Sequence, residues 1–136
     1  MMKISAKIDY ACKALLELSL HYPNNTPLPL VNVAKNQQIP MKFLTQILLT
    51  LKQIGCVVSI RGKNGGYLLN RAPEEITLKD VVAAFDDVNI GSSVDGVFVS
   101  IWGEVNDVMM EKMESVHFGE IKNRYQQQTE NVLYVI

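Results

Sequence analysis

The sequence predicts a mainly α-helical chain broken once by a small β-hairpin. Three observations carry that expectation. Apolar residues recur at helical spacing in three stretches before residue 55, a glycine-rich tip separates two short strand-like runs between residues 57 and 70, and a long apolar stripe follows residue 97.

In the first helical stretch Ile8, Ala11, Cys12, Leu15 and Leu16 alternate with Lys7, Asp9, Lys13 and Glu17. This spacing predicts an amphipathic helix over about Ser5 to Tyr22, with Ser5 as N-cap. The breakers Pro23, Asn24, Asn25, Pro27 and Pro29 make a loop. A short helix over Leu30 to Gln37 turns Leu30, Val33 and Ala34 inward. Pro40 suits the first turn of a third helix that ends near Ile54 and buries Leu44, Ile47, Leu48, Leu51 and Ile54, with Gly55 as its stop.

Val57 to Arg61 and Tyr67 to Asn70 then read as two strands around Gly62-Lys63-Asn64-Gly65-Gly66. Thr77, with Asp80 three residues on, caps a helix over Leu78 to Phe85. Residues 86–96 read as a loop. A long helix over Val97 to Val116 carries Phe98, Ile101, Trp102, Val105, Val108, Met109, Met113 and Val116 as a broad stripe, and a last short helix over Phe118 to Gln128 leads to the apolar tail 132–136. The expected division is therefore a module over 1–85, a loop over 86–96, and a helical segment with its tail over 97–136.

Charge divides along the same line. The net charge is −1, but residues 1–72 hold nine Lys/Arg against two Asp/Glu (9 − 2 = +7), and residues 73–136 hold four against twelve (4 − 12 = −8). A basic module joined to an acidic one is the pattern expected when one part neutralises phosphates and the other faces protein or solvent. Charged residues interrupt the first apolar segment, so neither a signal sequence nor a membrane span is expected. Cys12 and Cys56 are isolated and form no Cys-x-x-Cys pair, which suits a reducing cytoplasm and no zinc module. His21 and His117 stand without a recognisable nucleophile motif, so no enzyme is expected.

Two helices around a tight turn, followed by a glycine-tipped hairpin, are the parts of a winged helix-turn-helix, and the expected partner is double-stranded DNA. A recognition helix must bury one face and present its N-terminal turn to base edges. The third helix has that division, leaving Met41, Lys42, Phe43, Thr45 and Gln46 at its open end. Gln46 suits a base edge, Lys42 a phosphate or guanine, and Met41 or Phe43 a thymine methyl. In the hairpin, Arg61, Gly62, Lys63 and Asn64 put two cations on a backbone thin enough to approach a groove. The stripe of the long helix, exposed on a monomer, suits a homodimer.

The run Met2-Lys3-Ile4-Ser5-Ala6-Lys7 with Tyr10-Ala11, then Phe43-Leu44-Thr45-Gln46-Ile47-Leu48, then Ser59-Ile60-Arg61-Gly62-Lys63-Asn64-Gly65-Gly66-Tyr67-Leu68-Leu69, resembles the Rrf2 family of bacterial winged-helix regulators. The similarity continues through Pro73 to Val82 and to Trp102. It implies a homodimer on the long helix, bound to a pseudo-palindromic promoter site. Carried over by position, Lys42, Phe43 and Gln46 contact bases, Arg61 supplies the wing contact, and Lys3, Ser5 and Tyr10 contact phosphates. Thr45 departs from a glutamate found in several members and so alters the expected site sequence.

Many members hold an iron–sulfur cluster on cysteines in the loop before the tryptophan, but residues 86–101 here contain no Cys and no His. No cofactor is therefore expected. The resemblance points instead to clusterless members of sulfur and cysteine metabolism, or to regulators of iron–sulfur metabolism, answering to an effector protein or small molecule. Asp9, at a position where some members place a carboxylate ligand, and Cys12, one turn along, are the candidate metal ligands in helix 1. Their plainer readings are a first-turn acid favoured by the helix dipole and a small buried apolar side chain. Two alternatives remain: a metal or iron–sulfur redox sensor that uses Asp9 and Cys12, and a protein-interaction module that regulates an enzyme.

Overall fold

A computed structural model describes residues 3–85 and 96–135, with side chains as far as residue 130. The expected loop thus lies, but for Gly96, outside the described residues, as do the side chains of the apolar tail. The described chain forms α1 (Ala6–Leu20), α2 (Leu30–Gln37), α3 (Met41–Gln53), the antiparallel pair β1 (Val57–Ile60) and β2 (Gly66–Leu69), a 3-10 turn over Pro73–Glu75, α4 (Leu78–Phe85), α5 (Val97–Ser115) and α6 (Phe118–Val135). It is the mainly helical chain with one hairpin that the sequence predicts.

Local chemistry sets the ends of these elements. The Ser5 hydroxyl accepts the Ile8 N–H at 3.3 Å, satisfying one of the donors that a helix start leaves open. Thr77 and Asp80 form a reciprocal box: Asp80 N–H donates to Thr77 Oγ1 at 3.2 Å, and Thr77 N–H to Asp80 Oδ2 at 3.0 Å. Between α2 and α3, Gln38 takes a left-handed conformation (φ 55°), and the Ile39 N–H returns to the Ala34 carbonyl at 2.9 Å. That tight turn separates the two helices of the helix-turn-helix.

The core lies where α1, α2 and α3 meet. Leu15, Val33, Leu44, Leu48 and Leu51 are buried there, together with Ile76 and Val81 from the segment after the hairpin. Burial of this kind stabilises by about 1.5–3 kcal/mol per large side chain. Glu17 is buried as well, and its carboxylate accepts from Asn36 Nδ2 at 2.8 Å and Gln37 Nε2 at 3.0 Å, with His21 Nε2 at 3.3 Å. This polar clasp holds the last turn of α2 to α1.

Several placements differ from expectation. Ile54, expected in the core, caps the end of α3 and is exposed, because the helix stops before its side chain turns inward. The helix beginning at Phe118 runs on to Val135 instead of ending near Gln128. Phe118 itself is fully buried in the core of the N-terminal module. Its N–H donates to Ile76 O at 2.9 Å, and Leu78 N–H donates to Val116 O at 3.0 Å, so the starts of α4 and α6 are stitched together. Met113 leaves the apolar stripe of α5 and is buried with Ile8 and Val82, while Met109 packs against the same cluster. Within the described residues no helix is long and apolar enough to cross a membrane.

Candidate nucleic-acid interface

α3 is anchored by Leu44, Ile47, Leu48 and Leu51, all buried, and its opposite face carries Lys42, Thr45, Gln46, Leu49 and Gln53, all exposed. The division follows from helical periodicity, since positions three and four apart share a face. Met41 and Phe43 are also exposed at the first turn.

Tyr10 and Phe43, assigned respectively to phosphate and base contacts, are brought together by the fold. Their rings stack with centroids 6.1 Å apart and planes inclined by 21°. Lys42 Nζ lies 4.9 Å from the Phe43 ring centroid, a cation–π contact. Phe43 therefore links α1 to the open end of α3 and holds the Lys42 ammonium beside it. Phe43 and Gln46 further border a cleft of about 230 Å³ with Lys7, Ile47, Thr50 and Phe85. Lys3 and Lys7 are exposed near the start of α1, and Ser5 is committed to its cap.

The hairpin stands beside this surface. Lys52 Nζ, near the end of α3, donates to Ser59 Oγ in β1 at 2.9 Å. Arg61, Gly62, Lys63 and Asn64 are all exposed at its tip. Among the described residues, Lys42, Arg61 and Lys63 take part in no salt bridge, leaving three cations for an outside anion. The tip needs its glycines: a Cβ at Gly65 would overlap the Ile60 carbonyl across the turn.

One feature had no signal in the sequence. Leu28, in the loop between α1 and α2, forms a bridge with Tyr67: Leu28 N–H donates to Tyr67 O at 3.0 Å and Tyr67 N–H to Leu28 O at 2.9 Å. A single bridging residue has no periodicity to detect. A Cβ on Gly66 would overlap the Leu28 carbonyl and stand 2.8 Å from Pro29 N, so the loop reaches the hairpin only because residue 66 is glycine. The wing is thereby tied directly to the segment that leads into α2.

The candidate metal ligands are placed differently. Asp9 Oδ2 pairs with Lys13 Nζ at 2.9 Å along the exposed side of α1. Cys12 packs among core side chains, and burial, with the Asp9 charge adding to it, pushes its thiol up to about 12. Cys56 is fully buried, with Arg71 Nη2 3.2 Å from its sulfur. Burial raises its pKa, the Arg71 hydrogen bond and charge oppose that rise, and Asp80 adds to it. Metal ligation needs thiolate, which both cysteines resist forming. Among the described residues no three His, Cys, Asp or Glu side chains gather as a metal site. Together with a segment 86–101 that lacks Cys and His, these side chains do not fit an iron–sulfur cluster.

A helix-turn-helix with an exposed polar face on its second helix, set beside a cationic glycine-tipped wing, defines a winged-helix DNA-binding transcriptional regulator. The chain belongs to the Rrf2 family, described as iron-dependent transcriptional regulators, whose model matches residues 4–133. It is 31% identical over 131 residues to the Synechocystis sp. protein slr0846, described as an HTH-type transcriptional regulator, covering 88% of this chain and 87% of that one. Among solved structures, T. potens IscR superposes with a TM-score of 0.80 at 26% identity, covering 93% of this chain and 90% of that chain. CymR, the global cysteine regulator of B. subtilis, superposes with a TM-score of 0.77, also at 26% identity, covering 91% and 98%.

Proposed function

We propose that this protein is a repressor that binds a pseudo-palindromic promoter site as a homodimer and carries no iron–sulfur cluster. α3 enters the major groove and the wing contacts the flanking backbone or minor groove. The observation that carries the reading is that one chain exposes both the Lys42–Gln46 turn of α3 and a hairpin tip bearing Arg61 and Lys63, which among the described residues take part in no salt bridge. A homodimer is supported by the stretch of α5 from Val97 to Val108, where Val97, Phe98, Ile101, Trp102, Val105 and Val108 are all exposed. Monomers rarely leave an apolar surface of that extent uncovered. The similarity to CymR, the global cysteine regulator of B. subtilis, supports sulfur and cysteine metabolism as the regulated process.

The test selects a cognate duplex from random-sequence DNA with the full chain, then titrates salt. Arg61→Ala should weaken binding to every duplex and change the log–log salt slope by about 0.9, the loss of one phosphate contact. Gln46→Ala should cost about 1–3 kcal/mol on the selected site and little on scrambled DNA. Sedimentation should return a dimer that Val105→Glu dissociates. No selected duplex, or a monomer bound to a single half-site, would refute the reading.

A further inference from the structure

The outward face of α3 contains one side chain that the polar account of that face leaves unexplained. Leu49 follows Gln46 by one turn, lies seven residues after Lys42 and four before Gln53, and so sits in the middle of the stripe opposite the buried Leu44, Ile47, Leu48 and Leu51. It is 50% exposed. Its neighbour one turn back, Thr45, has its hydroxyl committed: Oγ1 donates to the Met41 carbonyl at 3.2 Å, leaving the Thr45 methyl as the group offered outward. Met41, one turn earlier again, is 44% exposed. At positions i, i+4 and i+8, Met41, Thr45 and Leu49 make an apolar file running beside Lys42 and Gln46. The aromatic ring at the same end, Phe43, is occupied by Tyr10 and Lys42.

We infer that this file, with Leu49 and the Thr45 methyl as its specificity-determining groups, reads the 5-methyl groups of thymine in the major groove. The inference rests on the DNA-binding reading above and adds to it the chemistry that selects the bases. The major groove displays one apolar group, the thymine methyl, and a threonine methyl or an alkyl side chain is the complement to it. Neighbouring members of the file are about 6 Å apart along the helix axis. That rise compares with the roughly 3.4 Å of duplex axis taken up by each base pair, so the file can meet two thymines that are not adjacent. Hydrogen bonding by Gln46 and apolar contact by Leu49 would then discriminate at different base pairs.

The experiment compares two versions of the selected duplex, one made with thymine and one with uracil, which pairs identically but lacks the methyl. Wild-type protein should bind the uracil duplex about three- to fivefold more weakly for each methyl contacted. Leu49→Ala should bind the thymine duplex more weakly by a similar factor and show a reduced thymine-to-uracil ratio, with scrambled DNA bound as before. Uracil placed at single positions should locate the contacted bases, and the wild-type comparison needs no variant. An equal ratio for wild type and Leu49→Ala, or a wild-type protein indifferent to uracil, would overturn the inference while leaving sequence-specific binding intact. Failure to select any duplex would overturn the DNA-binding reading itself, and this inference with it.

Discussion

A Gly66→Ala chain has to place a methyl group where the Leu28 carbonyl already lies, and both sides of that collision are backbone. No rotamer change relieves it. The segment 28–29 must withdraw, and with it go the two hydrogen bonds between Leu28 and Tyr67, at 3.0 and 2.9 Å. Each backbone bond contributes about 0.5–1.5 kcal/mol net, so the expected destabilisation is about 1–3 kcal/mol. Register within the hairpin should survive, because the pairs Val57–Leu69, Val58–Leu68 and Ser59–Tyr67 do not depend on a hydrogen at residue 66. Urea denaturation measures the loss. Amide exchange locates it, with the Leu28 and Tyr67 N–H groups losing protection while the α3 core amides keep theirs. DNA affinity should fall as well, since the wing would no longer be fixed to the loop leading into α2. Wild-type stability together with a protected Tyr67 amide would refute the claim that this contact ties wing to helix-turn-helix.

Phe118→Ala should cost about 3–5 kcal/mol in the same denaturation assay, because the ring is fully buried in the N-terminal core. Loss of stability confined to the C-terminal segment would argue against that packing. Glu17→Ala should cost about 1.5–3 kcal/mol by leaving Asn36 and Gln37 without their charged acceptor, and Glu17→Gln should cost less, as read by thermal unfolding. Cys12, whose thiol is pushed up to about 12 from an ordinary 9.0, holds its proton in the folded state where the unfolded chain has lost it. Stability should therefore be unaffected by this group below pH 9 and fall as pH rises from about 9 to 12, and Cys12→Ala should remove that component of the fall. At pH 7.5 neither cysteine of the native protein should react readily with iodoacetamide, whereas both should react in guanidinium.

The elements legible in the sequence are those with a local cause. Ser5 and the Thr77–Asp80 box announce helix starts through a side chain that accepts a backbone N–H, and the buried positions of α3 announce themselves by their spacing. The Arg61–Asn64 tip was legible because only glycine-rich chain makes so tight a turn. What was not legible depends on contacts between distant residues. Nothing local in Phe118 says that it fills the space between α1 and the segment after the hairpin, and the polar run 123–130, exposed throughout, gives no apolar stripe by which to extend α6. Met113 satisfies the same periodicity as Val105 and Val108, yet α4 and Ile8 cover it and leave the others bare. Leu49 carries no signal in the sequence for a different reason. Helical spacing marks it as outward, and an isolated exposed leucine is ordinary until the hydrogen-bonding groups around it are assigned.

Those long-range contacts also join the parts proposed to face DNA. Wing, recognition helix and C-terminal helix are not three appendages on a common core. Leu28 joins the wing to the entrance of α2, Glu17 joins the exit of α2 to α1, Phe43 joins the start of α3 to Tyr10 of α1, and Phe118 brings α6 onto the same α1-centred core. α1 is thus the shared support, and Met113 and Ile8 connect it to α5, whose stretch from Val97 to Val108 presents the apolar face. In the proposed homodimer, a change in how two copies meet across α5 is expected to be passed to α1 and α4 through the cluster of Ile8, Val82 and Met113. Chains locked across α5 by an engineered disulfide should then bind the selected duplex with an affinity set by the geometry of the lock, and equal affinities for differently placed locks would show that α1 transmits nothing.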